Sequence, residues 1–269
     1  MNAPKLAAFA TCSMLTSCAL EAGTGGQLIA YEFSVLTDVP VDEPFTTLSG
    51  WTVQFDSAYI ALGPAWLYEN PAASALQSPN RDWIARARDF LIPTAHAHPG
   101  DAFFNGGQLR GEFLEQHVYD LLDDTLTLLG DARGVAGPCG TMTLVLDPPS
   151  SAIIGDPAPL DGYPVWIAGQ AQREVEGEMQ VVNFAGGLEL DADERELNAI
   201  KADFDLAQGD QVILRVDVQS WLDEAQFDRL EVADENGVMI IEPDSQVAIA
   251  WKLALRNANN YRVSNPSDA

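Results

Sequence analysis

All three histidines of the chain fall between Pro93 and His117, in PTAHAHPGDAFFNGGQLRGEFLEQH. His96 and His98 stand at i and i+2, so on an extended segment both imidazoles leave the backbone on the same side and can converge on one ion. Pro99-Gly100 then turns the chain, and His117 follows 19 residues after His98, a span that a hairpin can close. Glu115, two residues before His117, shares its face on a strand, and Asp101 and Glu112 are further oxygen donors. Two or three imidazoles with an optional carboxylate suit Zn(II) or Cu(II), borderline ions that prefer nitrogen. Calcium and magnesium want all-oxygen sites and have no use for such a loop. The chemistry expected is therefore capture of a transition-metal ion by His96, His98 and His117, with Glu115 or Asp101 as oxygen donor. Against it stands the plain alternative of a surface loop in which histidines happen to cluster.

No catalytic apparatus accompanies this loop. The chain has no Gly-x-Ser-x-Gly, His-Glu-x-x-His or phosphate-loop pattern. Acids are too many for a catalytic pair to be picked out. Asp191-Ala192-Asp193-Glu194 has the look of half a calcium loop but lacks the glycine and the terminal glutamate at the required spacing, so a solvated turn is expected. Asp234-Glu235-Asn236-Gly237 has the chemistry of a hairpin turn. Trp51, Trp66, Tyr68 and Trp83 are expected in the core or at its rim. The sequence points to a binding protein, not an enzyme.

Charge narrows the partners. Forty acidic residues against 14 basic ones leave a formal net charge of -26, a surface that repels nucleic acid and anionic lipid and gathers cations. The N-terminus adds a compartment. Lys5 precedes a short apolar run, Leu6 to Met14, and then Leu15-Thr16-Ser17-Cys18. That order resembles the bacterial lipobox, and the apolar span is too short for a membrane helix. The resemblance implies a signal peptide over 1–17, acyl chains on Cys18 that anchor the chain to the membrane, and a tether to residue 27. Ala19 after the cysteine implies the outer membrane. Cys12 then departs with the signal and Cys139 stays alone, unable to form an internal disulfide.

The elements that must hold the histidine loop are mostly strands. Period-two alternation marks Leu28–Leu36 and, most clearly, Trp51–Leu62. Further strands are expected at Val118–Leu122 and Thr125–Leu129 (a hairpin across Asp123-Asp124), Thr141–Leu146, Val165–Ala171, Glu178–Phe184, Ala199–Leu206 and Gln211–Val218, the last two joined by a Gln208-Gly209-Asp210 turn. A short mid-chain helix is expected over Arg81–Leu91 and two C-terminal helices over Trp221–Leu230, capped by Ser220, and Gln246–Asn257, capped by Ser245. So many short strands favour an all-β fold, an antiparallel β-sandwich spanning residues 28–269.

Two segments carry a further resemblance. Trp51–Leu62 and Ile200–Leu230, the latter with Ala202-Asp203-Phe204-Asp205, Val212-Ile213-Leu214-Arg215-Val216-Asp217-Val218 and Phe227-Asp228, resemble the methanobactin-associated periplasmic copper-binding β-sandwich proteins. That resemblance implies a β-sandwich without enzyme motifs and copper held by histidines beside an oxidised tryptophan. The histidines here fall at other positions and the family's cysteine pattern is missing, so it transfers no ligand. The resulting expectation is a lipid-anchored envelope protein that captures Cu or Zn and hands it to an envelope partner or metal transporter. The alternative is a non-catalytic accessory or adhesion-type module that binds a protein or a glycan.

Overall fold

The computed structural model describes residues 26–38, 43–71 and 107–266. Its strands are β1 (Leu28–Thr37), β2 (Phe45–Thr46), β3 (Thr52–Leu62), β4 (Ala65–Tyr68), β5 (Leu109–Phe113), β6 (His117–Asp120), β7 (Thr127–Val135) and β8 (Gly137–Val145). They continue as β9 (Val165–Val175), β10 (Glu178–Gly187), β11 (Glu196–Leu206), β12 (Gln211–Val216), β13 (Met239–Ile240) and β14 (Tyr261–Ser264). Eight form one sheet in the order β11-β8-β4-β5-β7-β1-β12-β14. The second sheet runs β13-β10-β9-β3-β2, with β6 also paired to β3. The fold is an all-β sandwich, antiparallel except where β1 pairs β12 and β10 pairs β13 in parallel.

The alternation that marks the strands also builds the core. On β3, Val53 and Phe55 point inward while Thr52 and Gln54 point out; a bulge between Phe55 and Ser57 shifts the register, and Ala58, Ile60 and Leu62 resume the inward face. The inner faces of the two sheets close one hydrophobic cluster, with Trp51, Trp221 and Trp251 fully buried. Phe227 joins it, edge-on to Trp51 at 5.6 Å and packed on Phe184 at 4.7 Å. Arg173 covers the other side of Trp51 at 4.4 Å, its charge met by Asp228 at 3.2 Å.

Three local expectations change. Val118–Leu122 and Thr125–Leu129 do not form a hairpin: β6 lies in the second sheet against β3, and β7 in the first between β5 and β1. The Asp123-Asp124 stretch crosses between sheets, with the Asp123 carboxylate accepting from the Thr125 amide and hydroxyl. β11 and β12 are not partners either; the eight-stranded sheet curls until its edge strands β11 and β14 touch, and the Gly209 turn crosses that seam. Trp221–Leu230 forms two 3-10 turns, Gln219–Leu222 and Phe227–Arg229, with Asp217 and not Ser220 accepting the hydrogen bonds at its start. The last helix forms as expected over Gln246–Leu255, with the Ser245 hydroxyl accepting from the Ala248 amide. The Asp191–Glu194 stretch is a turn whose Glu194 carboxylate is committed to Lys252 at 2.9 Å and the Asp191 amide at 3.0 Å, which holds that carboxyl below its ordinary range. The helix expected over Arg81–Leu91 lies outside the described residues, as does Trp83.

Cys139 sits in β8, buried, its thiol pushed up to about 12 by desolvation despite the opposing charge of Arg110. A thiol so placed stays protonated and shielded. At pH 8 it is expected to react with a thiol reagent only after denaturation; rapid labelling located at Cys139 in the folded protein by peptide mapping would contradict this placement.

Candidate functional site

Strands β3, β4, β5 and β6 are one long hairpin bent at a corner. Ile60 and Leu62 of β3 pair with Tyr119 and His117 of β6 in the second sheet. Beyond Gly63-Pro64 the chain enters the first sheet, where Ala65 pairs with Phe113 and Tyr68 with Leu109. The return crossing is Leu114-Glu115-Gln116. The two crossings lie against each other, as expected where strands change sheets at a sandwich corner. Gly63 makes this approach workable: its φ is +101°, and a Cβ there would stand 2.2 Å from the Glu115 carbonyl oxygen.

His117 opens β6 at this corner. Its ring is tucked inside, 5.6 Å from that of Phe113, with the side chain only 9% exposed. Its Nε2 lies 3.3 Å from Oε2 of Glu115, whose side chain is 54% exposed. The Glu115 carboxylate rests over Gly130 of β7, where a Cβ would stand 3.0 Å from the same oxygen. One donor is thus anchored in the core and the other faces water. Two ligand atoms each about 2.0–2.1 Å from one tetrahedral ion are separated by about 3.3 Å, so this pair can serve as two corners of such a site.

Beside Glu115 opens a cleft of about 630 Å³ lined by Gly63, Gln116, Pro148, Ile154 and Arg195 among others. Gln116 is its organiser. Its side-chain amide donates to the carbonyls of Asp147 and Pro148 at 3.0 and 3.2 Å and its oxygen accepts from the Ser150 amide at 2.9 Å. Arg195 is held by the Leu190 carbonyl and by Asp147 at 3.3 Å. Neither residue stands out in the sequence, because each acts through segments far from it in the chain.

Of the expected ligands, the structure brings Glu115 and His117 together. His96, His98 and Asp101 lie outside the described residues. Glu112 sits on β5 between Trp66 and Arg133, on the far side of the corner from His117. Among the described residues no group of three or more His, Cys, Asp or Glu is placed to hold a metal. The chain leaves the described fold at Pro71 and returns at Gly107, at the tip of the bent hairpin where Glu69 donates to Gln108 at 3.0 Å. From Gly107, His117 is ten residues forward, His98 nine back and His96 eleven back.

No protein-family model matches the chain, and no curated protein sequence matches it. Among solved structures, MbnP from Methylosinus trichosporium aligns over 90% of this chain and 99% of its own, at 11% identity and a TM-score of 0.31. So loose a superposition leaves the architecture to rest on the strand pairings described above.

Proposed function

We propose that this protein captures a transition-metal ion, Cu or Zn, at the sheet corner, and that it does so in the cell envelope, tethered through lipid on Cys18. His117 and Glu115 supply the fixed half of the site. His96 and His98, with Asp101 as a further oxygen donor, complete it from the segment between β4 and β5. The observation that supports this reading is the 3.3 Å separation of His117 Nε2 and Glu115 Oε2, a spacing at which both can bind one ion. The exposure of Glu115 offers an entry route and an exit toward a receiving transporter or other envelope partner. Net charge of -26 raises the local concentration of cations around it. The role is capture and handover, with no chemical step.

Elemental analysis of the purified protein is expected to show one bound equivalent after exposure to Cu(II) or Zn(II) and dialysis. His117→Ala and the pair His96→Ala, His98→Ala should each lose it. Glu115→Gln should weaken binding while the fold is retained. Equal metal content in the wild type and all three variants would reject the site.

A further inference from the structure

The outer face of the second sheet carries an ordered pattern of side chains unconnected with the metal reading. Register places Asp120 of β6, Tyr59 of β3, Trp166 of β9 and Gly187 of β10 in one row across four strands. All are on the solvent side, since their neighbours Tyr119, Ile60 and Ile167 face the core. Over Gly187 lies the ring of Tyr163: a Cβ on that glycine would stand 2.0 Å from the Tyr163 Cγ. Tyr163 and Trp166 are 5.8 Å apart at 39°. Three half-buried aromatic rings thus cross the sheet in line, ending at a carboxylate.

The next row is small: Ser57, Ala168 and Ala185. The row after it is amide: Gln54, Gln170 and Asn183, with Gln170 donating to Asn183 at 3.0 Å. Aromatic and amide rows are four residues apart along β9, about 13 Å, and the small residues between them floor a shallow trough. The connection between β8 and β9 walls one end. Ala61 and Leu160 are fully buried there, and Gly155 packs on Val118.

We infer that this trough is a binding site for an uncharged glycan lying across β3, β9 and β10. Sugar rings present apolar C–H faces that stack on aromatic rings and hydroxyls that both donate and accept. The trough meets the first need with Tyr59 and Trp166, and the second with amides that do both and with the carboxylates of Asp120 and Asp56. Charge selects against acidic sugars: among the described residues, the outward positions of β3, β6, β9 and β10 carry no Lys or Arg, and the protein carries a net charge of -26. A metal-capturing protein so equipped would be held against neutral polysaccharide through a surface separate from the corner.

Native gels cast with hydroxyethylcellulose, glucomannan or dextran are the direct test, with alginate as the anionic comparison. The purified protein should be retarded in at least one neutral gel and not in alginate, equally with or without a chelator. Trp166→Ala should weaken that retardation about fivefold or more, and Trp166→Phe should restore part of it. The pair Gln54→Ala, Gln170→Ala, which leaves the core untouched, should weaken it independently if Trp166→Ala does not fold. Migration unaffected by every neutral polysaccharide, stronger retention in alginate, or retention unchanged in folded Trp166 and amide variants would overturn the site. Loss of retardation on chelation would mean that the glycan contact depends on the metal corner, which also overturns it.

Discussion

Gly63→Ala is expected to lower the free energy of unfolding by about 4 kcal/mol. Two costs add. An alanine must adopt a φ of +101°, a conformation that costs a non-glycine residue about 1–3 kcal/mol. Its Cβ must also clear the Glu115 carbonyl oxygen, 2.2 Å away, and that atom is backbone with no rotamer to move. Relief requires the two sheet crossings to part by more than an ångström, at a further cost of about 1–3 kcal/mol. Such a loss is a large share of a typical total of about 5–15 kcal/mol. Gly162→Ala is the matched comparison, since its φ is +85° with open space around the added carbon, so it carries the backbone term alone. Urea denaturation of both variants separates the two costs. Equal midpoints for Gly63→Ala and Gly162→Ala would mean that the crossings are not locked together. The molecules of Gly63→Ala that remain folded should also bind metal poorly, because the carbonyl that is pushed away belongs to Glu115, the proposed ligand.

The corner shows what could be read in the residues and what could not. Glu115 and His117 were legible as a pair because a two-residue spacing keeps side chains near each other, although Glu115 turned out to lie in the crossing and not on a strand. Most strands were legible for the same reason: Val53, Phe55, Ile60 and Leu62 announce an inner face by alternation and hydrophobicity. Pairing was less so. Val118–Leu122 and Thr125–Leu129 have the length and turn chemistry of a hairpin, yet they enter different sheets, and only the long-range partners Ile60 and Val35 decide that. Local pattern records which side of a strand is buried, not which strand lies beside it. Trp221–Leu230 fails differently. Trp221, Leu222, Ala225, Phe227 and Leu230 have helical spacing, but Phe227 is drawn onto Trp51 and Phe184, and this packing outweighs a helix preference of a few tenths of a kcal/mol per residue.

The aromatic row across the second sheet is legible only after pairing is known. Tyr59 and Trp166 are 107 positions apart, and nothing local to either one announces the other. Their alignment depends on the β3 bulge, where Phe55 opposes Gly169 but Ser57 opposes Ala168. The extra residue turns both Asp56 and Ser57 toward solvent and resets the register so that Tyr59 meets Trp166. One structural irregularity therefore produces both the small floor and the aromatic edge of the proposed trough.

That dependence makes Gly169, on the core side of β9, a sensitive position for this face. An alanine Cβ there would stand 2.2 Å from the Gln54 carbonyl oxygen and 2.9 Å from the Phe55 Cα. Both are backbone atoms of the neighbouring strand, and Gly169 lies in β9, between β3 and β10 in the middle of the sheet. Strand separation is set near 4.8 Å by the ladder hydrogen bonds, so the collision can be relieved only by breaking some of them at the bulge. Gly169→Ala is expected to cost about 3 kcal/mol or more and to lower the thermal midpoint by about 6 °C or more. Ala168→Ser, one residue away on the open face, should shift it by less than about 2 °C. Calorimetry of the two variants gives the answer, and a midpoint for Gly169→Ala within 2 °C of the wild type would mean that β3 can slide past β9. In that event the register joining Tyr59 to Trp166 would not be rigid, and the row of rings would not form a fixed platform. Where the substitution does destabilise as expected, binding of neutral polysaccharide should fall with it even in the fraction that stays folded, because the altered residue lies between the aromatic and amide rows that the sugar must touch together.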